Sequence, residues 1–134
     1  MASSVTHTQM ATSAVTVTTT SETVLDTSDI LTLAPLGGEG NRVHGVLNFT
    51  TGAGTTAVVV RVRQNTLTGT VVGNAQTVTA AAAATLSIPY DVLDVGAAST
   101  PVQQYVVTIQ QTAATGNGTG NQTTISVTPV SSAN

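Results

Sequence analysis

The feature that most constrains this chain is a two-residue alternation that recurs almost from end to end. Thr55–Gln64 is its clearest stretch: Val58, Val60 and Val62 fall on one side, Val59, Arg61 and Arg63 on the other. Successive side chains of an extended strand point to opposite faces, so this is a half-buried strand with a basic stripe on its outer or interface face. The same period returns at Val15 and Val17, at Ile30–Leu33, and at Val43, Gly45, Leu47 and Phe49. It continues through Ala75–Thr79, Thr85–Tyr90, Gln103–Gln111 and Thr123–Val130. Turn formers separate the runs: Pro35 with Gly37–Gly40, Gly52–Gly54, Gly69 and Gly73 around a short Thr-Val-Val piece, and Gly116–Asn121.

About eight short strands with no helix between them predict an all-β antiparallel sandwich, either a single jelly roll or an immunoglobulin-like fold. Ala80–Ala84 is the one helix-favouring run, and five residues do not outlast the cost of helix nucleation, so it reads as a loop or strand edge. The expected core is Val43, Leu47, Phe49, Val58, Val60, Val62, Tyr105, Val107, Ile109, Ile125 and Val127. Residues 1–13 are rich in Ser, Thr, Ala and Gln without a sustained pattern. They read as a flexible or partner-bound arm ahead of one domain over 14–134.

Charge is nearly absent. Only 7% of the 134 residues are charged, against about 25% in ordinary soluble domains, and the net charge is −3. All three basic residues are arginine. Without a basic surplus there is no counterion release to drive nucleic-acid binding. Zero cysteine excludes disulfides, thiol nucleophiles and cysteine-ligated metals. The start lacks a cationic segment followed by an apolar run, so no secretory leader is read there. The longest apolar stretches, Ala57–Val60 and Ala80–Ala84, fall far short of a membrane span. A sandwich filled mainly by Val, Ala and Thr, with one Phe, two Tyr and no Trp, has a thin core. That argues for further apolar surface buried between subunits.

Candidate sites are few. Asp91 with Asp94, and Asp26 with Asp29, lack the dense set of oxygens that calcium needs, and read as turn carboxylates. His7 and His44 stand in no metal-binding spacing, His7 in the arm and His44 outward by alternation. No Gly-x-Ser-x-Gly elbow or phosphate-binding loop is present, and the glycines at 116–120 lack the lysine that such a loop requires. Sequons at Asn48, Asn117 and Asn121 are of the kind that arise by chance in a chain so rich in Ser and Thr. Arg61 and Arg63, sharing one face, are the candidate contact for an acidic partner surface, with outward solvated arginines as the alternative. No metal, cofactor or enzymatic activity is expected.

The runs Val46–Arg63, Gly69–Thr79 and Gln103–Thr112 resemble small viral and phage structural proteins with a tumour-necrosis-factor/C1q-like jelly roll. The resemblance covers about two-thirds of the chain and rests on strand and turn patterns; residues 1–42 show none. It implies a compact homotrimer on the exterior of a virion, attached passively to other capsid proteins as a capsid decoration, fibre or minor capsid component. A subunit of an extracellular filament or adhesin is the alternative, with residues 1–20 suited to strand donation. Neither nucleic acid nor membrane is an expected partner.

Overall fold

The computed structural model describes residues 7–11, 13–28, 40–95 and 104–130, with the backbone alone for 7–9, 129 and 130. Nine strands are described: β1 (His7–Ala11), β2 (Val15–Val17), β3 (Thr23–Thr27), β4 (Gly40–Thr50), β5 (Ala57–Gln64), β6 (Val71–Thr79), β7 (Thr85–Asp94), β8 (Tyr105–Thr112) and β9 (Gly118–Val130). The strand expected at Ile30–Leu33 lies outside the described residues.

The pairing is nested. β5 pairs with β6, β4 with β7, β3 with β8 and β2 with β9, each antiparallel and each enclosing the pair before it. One long antiparallel hairpin has been rolled over on itself into two facing sheets, which is the jelly roll, and the immunoglobulin-like alternative is set aside. Sheet A runs β1-β9-β4-β7, with β2 also on β9, and sheet B runs β3-β8-β5-β6. β1 comes from the stretch read as an arm: its residues pair with Thr123–Val127 of β9, His7 opposite Val127 and Ala11 opposite Thr123.

Alternation places the core where the sequence pattern puts it. Val43, Leu47, Phe49, Val58, Val60, Val62, Tyr105, Val107, Ile109, Ile125 and Val127 are all buried between the sheets, joined by Val17, Leu25, Val72, Ile88 and Tyr90. Phe49 of β4, fully buried, fits because position 118 of β9 is glycine, where a Cβ would run into the ring. Gly73, read as a boundary, lies inside β6. Its φ of +65° lets the strand carry an irregularity and continue, and the β5–β6 register shifts between Val60 and Val62. Ala80–Ala84 forms the connection from β6 to β7, with Ala83 at a φ of +54°.

The margins formed by β7, β6 and β3 are interrupted. β7, the margin of sheet A, carries Pro89 in its middle, which has no N–H to offer another strand. β6 has its glycine irregularity, and β3 is five residues long with a register shift between Val24 and Asp26. Such features blunt edge-to-edge pairing.

Candidate functional site

Arg61 and Arg63 leave β5 on the outer face of sheet B, as alternation requires, with side chains 22% and 19% exposed. The acid they meet is the chain's own. Glu22, on the connection from β2 to β3, accepts from Arg63 Nε at 2.7 Å, Arg63 Nη2 at 2.9 Å and Arg61 Nη1 at 3.2 Å. Thr108 of β8 donates its hydroxyl to the same carboxylate at 2.6 Å. Arg61 Nη1 also reaches Gln110 Oε1 at 2.8 Å, and Arg63 Nη1 reaches the Gly69 carbonyl at 2.9 Å. The hydrogen bonds from Arg63 hold the Glu22 carboxyl below the ordinary glutamate range; partial burial opposes them, and Thr108 and the charges of both arginines assist. The Arg63 guanidinium is pushed up in return.

This clamp fixes a connection that the backbone alone does not favour. Thr19 has a φ of +31°, a left-handed conformation that a β-branched residue rarely adopts. The turn is held by Gln111 Nε2 on the Thr19 carbonyl (2.8 Å), Gln110 Nε2 on the Thr20 carbonyl (2.9 Å) and the Thr19 amide on Asn117 Oδ1 (3.2 Å). Glu22 therefore anchors the passage of the chain from sheet A to sheet B.

The two Asp91 and Asp94 carboxylates are not brought together. Three residues apart on β7, they occupy opposite faces. Asp91 points outward and pairs with Arg42 of β4, Nη2 to Oδ2 at 2.7 Å and Nε to Oδ1 at 2.9 Å, which holds the Asp91 carboxyl below its usual range. Asp94 points inward, accepting from the Tyr105 hydroxyl at 2.8 Å and Gln64 Nε2 at 2.9 Å, while Asn41 Nδ2 donates to the Tyr105 oxygen at 3.0 Å. Burial pushes the Tyr105 phenol up. This network bridges the sheets at one end of the sandwich. At the other end, Gln111 Oε1 accepts from the Gly52 amide at 2.6 Å and the Thr55 hydroxyl at 2.9 Å.

Asp26 is buried, accepts the Thr27 amide at 2.9 Å and the Ala11 amide at 3.2 Å, and has its pKa raised chiefly by burial. Asp29 lies outside the described residues, and His7 is described by its backbone only. His44 is half-buried on the outer face of sheet A, opposite Asp91 in register. Among the described residues no group of three His, Cys, Asp or Glu could hold a metal ion. The sequon side chains are engaged within the chain: Asn48 Nδ2 on the Gln122 carbonyl, Asn117 Oδ1 under the Thr19 amide, and Asn121 Nδ2 on the Thr50 hydroxyl.

The outer face of sheet A holds three of the large exposed apolar side chains, Met10 (55%), Val46 (38%) and Leu93 (48%). Met10 pairs with Thr124, whose hydroxyl accepts the Val46 amide at 3.1 Å, and Val46 pairs with Pro89. Met10, Val46 and Pro89 thus lie on one face of the sheet, with the polar Thr124 between Met10 and Val46. A shallow groove of about 460 Å³ on this face is lined by Arg42, His44, Val46, Gln76, Pro89 and Asp91. The sequence reading singles out neither these apolar side chains nor Glu22. The sequence marks Glu22 only as the first charged residue of the chain, and nothing in it points to the arginines.

The fold defines the class: this is a single-jelly-roll β-sandwich of the kind found in viral capsid proteins. Its likeness includes the protein of T=1 particles derived from infectious bursal virus (TM-score 0.62, 13% identity) and a mutant VP2 protein of infectious bursal disease virus from derived T=1 particles (TM-score 0.60, 14% identity). Each covers 92% of this chain, which spans about a third of those proteins, 31% of each. A pilus protein of Bacillus endospore appendages overlaps 98% of this chain and 96% of its own at 17% identity, with a TM-score of 0.41. No protein-family model and no curated protein matches the chain. Among the described residues no helix is long and apolar enough to cross a membrane.

Proposed function

We propose that this chain is a self-assembling, non-enzymatic structural subunit, specifically a virion protein that decorates a capsid or forms a fibre or minor capsid component as a homotrimer. The observation that carries the reading is the set of exposed apolar side chains Met10, Val46 and Pro89, with Leu93 nearby, on the outer face of an otherwise polar, nearly uncharged sandwich. Exposed apolar side chains gathered on one face are where interaction sites form. The jelly-roll likeness to viral capsid proteins supports it at the level of fold. The interrupted margins support association through faces over open-ended edge pairing. Symmetric trimers bury one set of surfaces in every subunit and leave nothing to polymerise.

Arg61 and Arg63 serve this architecture from within, through Glu22; an acidic partner surface would have to displace that carboxylate. A second reading, a filament subunit, is favoured by β1, a marginal strand well placed for donation. Light scattering on the purified protein at micromolar concentration tests both. A trimer mass is expected, a clean monomer would overturn the reading, and open-ended fibres would move it to the filament.

A further inference from the structure

Asn117 is the one asparagine of seven that is followed by glycine. The order matters chemically. A main-chain amide attacks the side-chain carbonyl of the residue before it most readily when its own residue has no Cβ to obstruct the approach. Position 118 is held to glycine by the core, because a Cβ there would run into Phe49 and Gln111. Packing thus fixes, next to an exposed asparagine, the neighbour that leaves it most open to attack.

The side-chain carbonyl is also prepared. Asn117 Oδ1 accepts the Thr19 amide at 3.2 Å, which draws electron density from Cγ and stabilises negative charge growing on that oxygen. Both partners are held. Thr19, at a φ of +31°, has its carbonyl on Gln111 Nε2 at 2.8 Å. Gly116, just before Asn117, donates its amide to the Ala53 carbonyl at 3.2 Å and accepts Gln111 Nε2 at 3.3 Å. Groups fixed in this way need little further ordering to react. Gly118, opposite Val17, ends the β2–β9 pairing, where local opening is most frequent and frees the main-chain amide.

We propose that Asn117 is a self-modification site, converted in the folded chain, without an enzyme, to aspartate and isoaspartate. The Gly118 nitrogen gives its proton to hydroxide and bonds to Asn117 Cγ. The bond from Cγ to the side-chain nitrogen breaks, and that nitrogen leaves as ammonia with a proton returned by water. The cyclic imide is then opened by water, at Cγ to give aspartate or at the main-chain carbonyl to give isoaspartate. The connections gathered at this end, Thr18–Ser21, Thr50–Thr56, Ala80–Ala84 and Ala113–Asn117, contain no charged residue, so either product is the first charge there. Aspartate keeps an acceptor for the Thr19 amide. Isoaspartate adds a methylene to the main chain directly before Gly118, where Phe49 packs closely.

The test ages the purified wild-type chain at mildly alkaline pH, one portion folded and one in urea, and maps both by peptide mass spectrometry with fragmentation that separates aspartate from isoaspartate. The folded portion should gain about 1 Da at residue 117 several-fold faster than at any other asparagine, and faster still as pH rises. Conversion in urea with none in the folded portion would overturn the proposal, and so would another asparagine converting first. Asn117→Gln, aged folded, should show no gain at that position; an equal gain there would overturn the imide route. Asn117→Asp should keep the wild-type urea midpoint, while the aged fraction rich in isoaspartate unfolds at lower urea. Equal midpoints for that fraction and the fresh chain would overturn the disturbance ascribed to the added methylene.

Discussion

Replacing Glu22 with glutamine tests whether the clamp holds the fold together, because it removes the charge and little else. The carboxylate accepts four hydrogen bonds, three from two guanidinium groups and one from Thr108. Bonds to charged groups contribute about 1.5–3 kcal/mol each when isolated, but these share one acceptor and are not additive. The glutamate side chain is 17% exposed, so solvent screens part of the Coulomb attraction. In the variant an amide NH₂ faces the guanidinium groups, and Arg61 and Arg63 are left on one face without a counter-charge. Together these place the loss for Glu22→Gln at about 2–3 kcal/mol, against ~1 kcal/mol or less for an isolated surface ion pair.

Urea unfolding at neutral pH measures this directly, and the pH dependence provides a second, independent reading. Glu22 has a folded pKa below its ordinary value near 4.5, so its contribution is complete above that value. It is lost as pH falls through the ordinary value toward the folded one. The wild-type chain should lose this share of stability on acidification, and the gap between it and Glu22→Gln should close over the same range. A cycle with Arg63→Gln should return a coupling above about 1 kcal/mol. A variant with an unchanged urea midpoint and a constant gap to wild type across the acid range would refute the clamp.

Two further substitutions probe the buried polar groups. Thr123 is 1% exposed and its hydroxyl has no hydrogen-bond partner, so Thr123→Val should raise stability by about 1 kcal/mol in urea unfolding; a loss would show that the hydroxyl is satisfied. Asp26 has a pKa raised chiefly by burial, so folding favours its protonated form, and the wild-type chain should gain stability at this site as pH falls. Asp26→Asn should lack that acid-side gain, and urea unfolding of both chains at two pH values checks it; equal pH dependence would refute it.

The core was legible because it follows a parity rule. Val58, Val60 and Val62 point inward and Arg61 and Arg63 outward for no reason beyond period two, and the same parity separates Asp91 from Asp94. What the arginines meet was not legible, since Glu22 lies about forty residues earlier in the chain and reaches them only after sheet B has formed. Gly73 was ambiguous for a physical reason: a glycine at positive φ ends one strand and bends another, and only the continuing β5–β6 pairing decides which.

β1 shows where a side-chain code ends. Strand register is specified strongly where one face is buried, and weakly where neither is. The stretch His7–Ala11 carries no apolar alternation, so its sequence reads as an arm, yet the main chain supplies the same donors and acceptors whatever the side chains are. A strand with Phe49 or Ile109 in it belongs to one copy's core, and removing it costs the packing of a buried side chain. Neither described side chain of β1 gives such a signature, since Met10 is exposed and Ala11 half-buried, and its place on β9 follows from main-chain register.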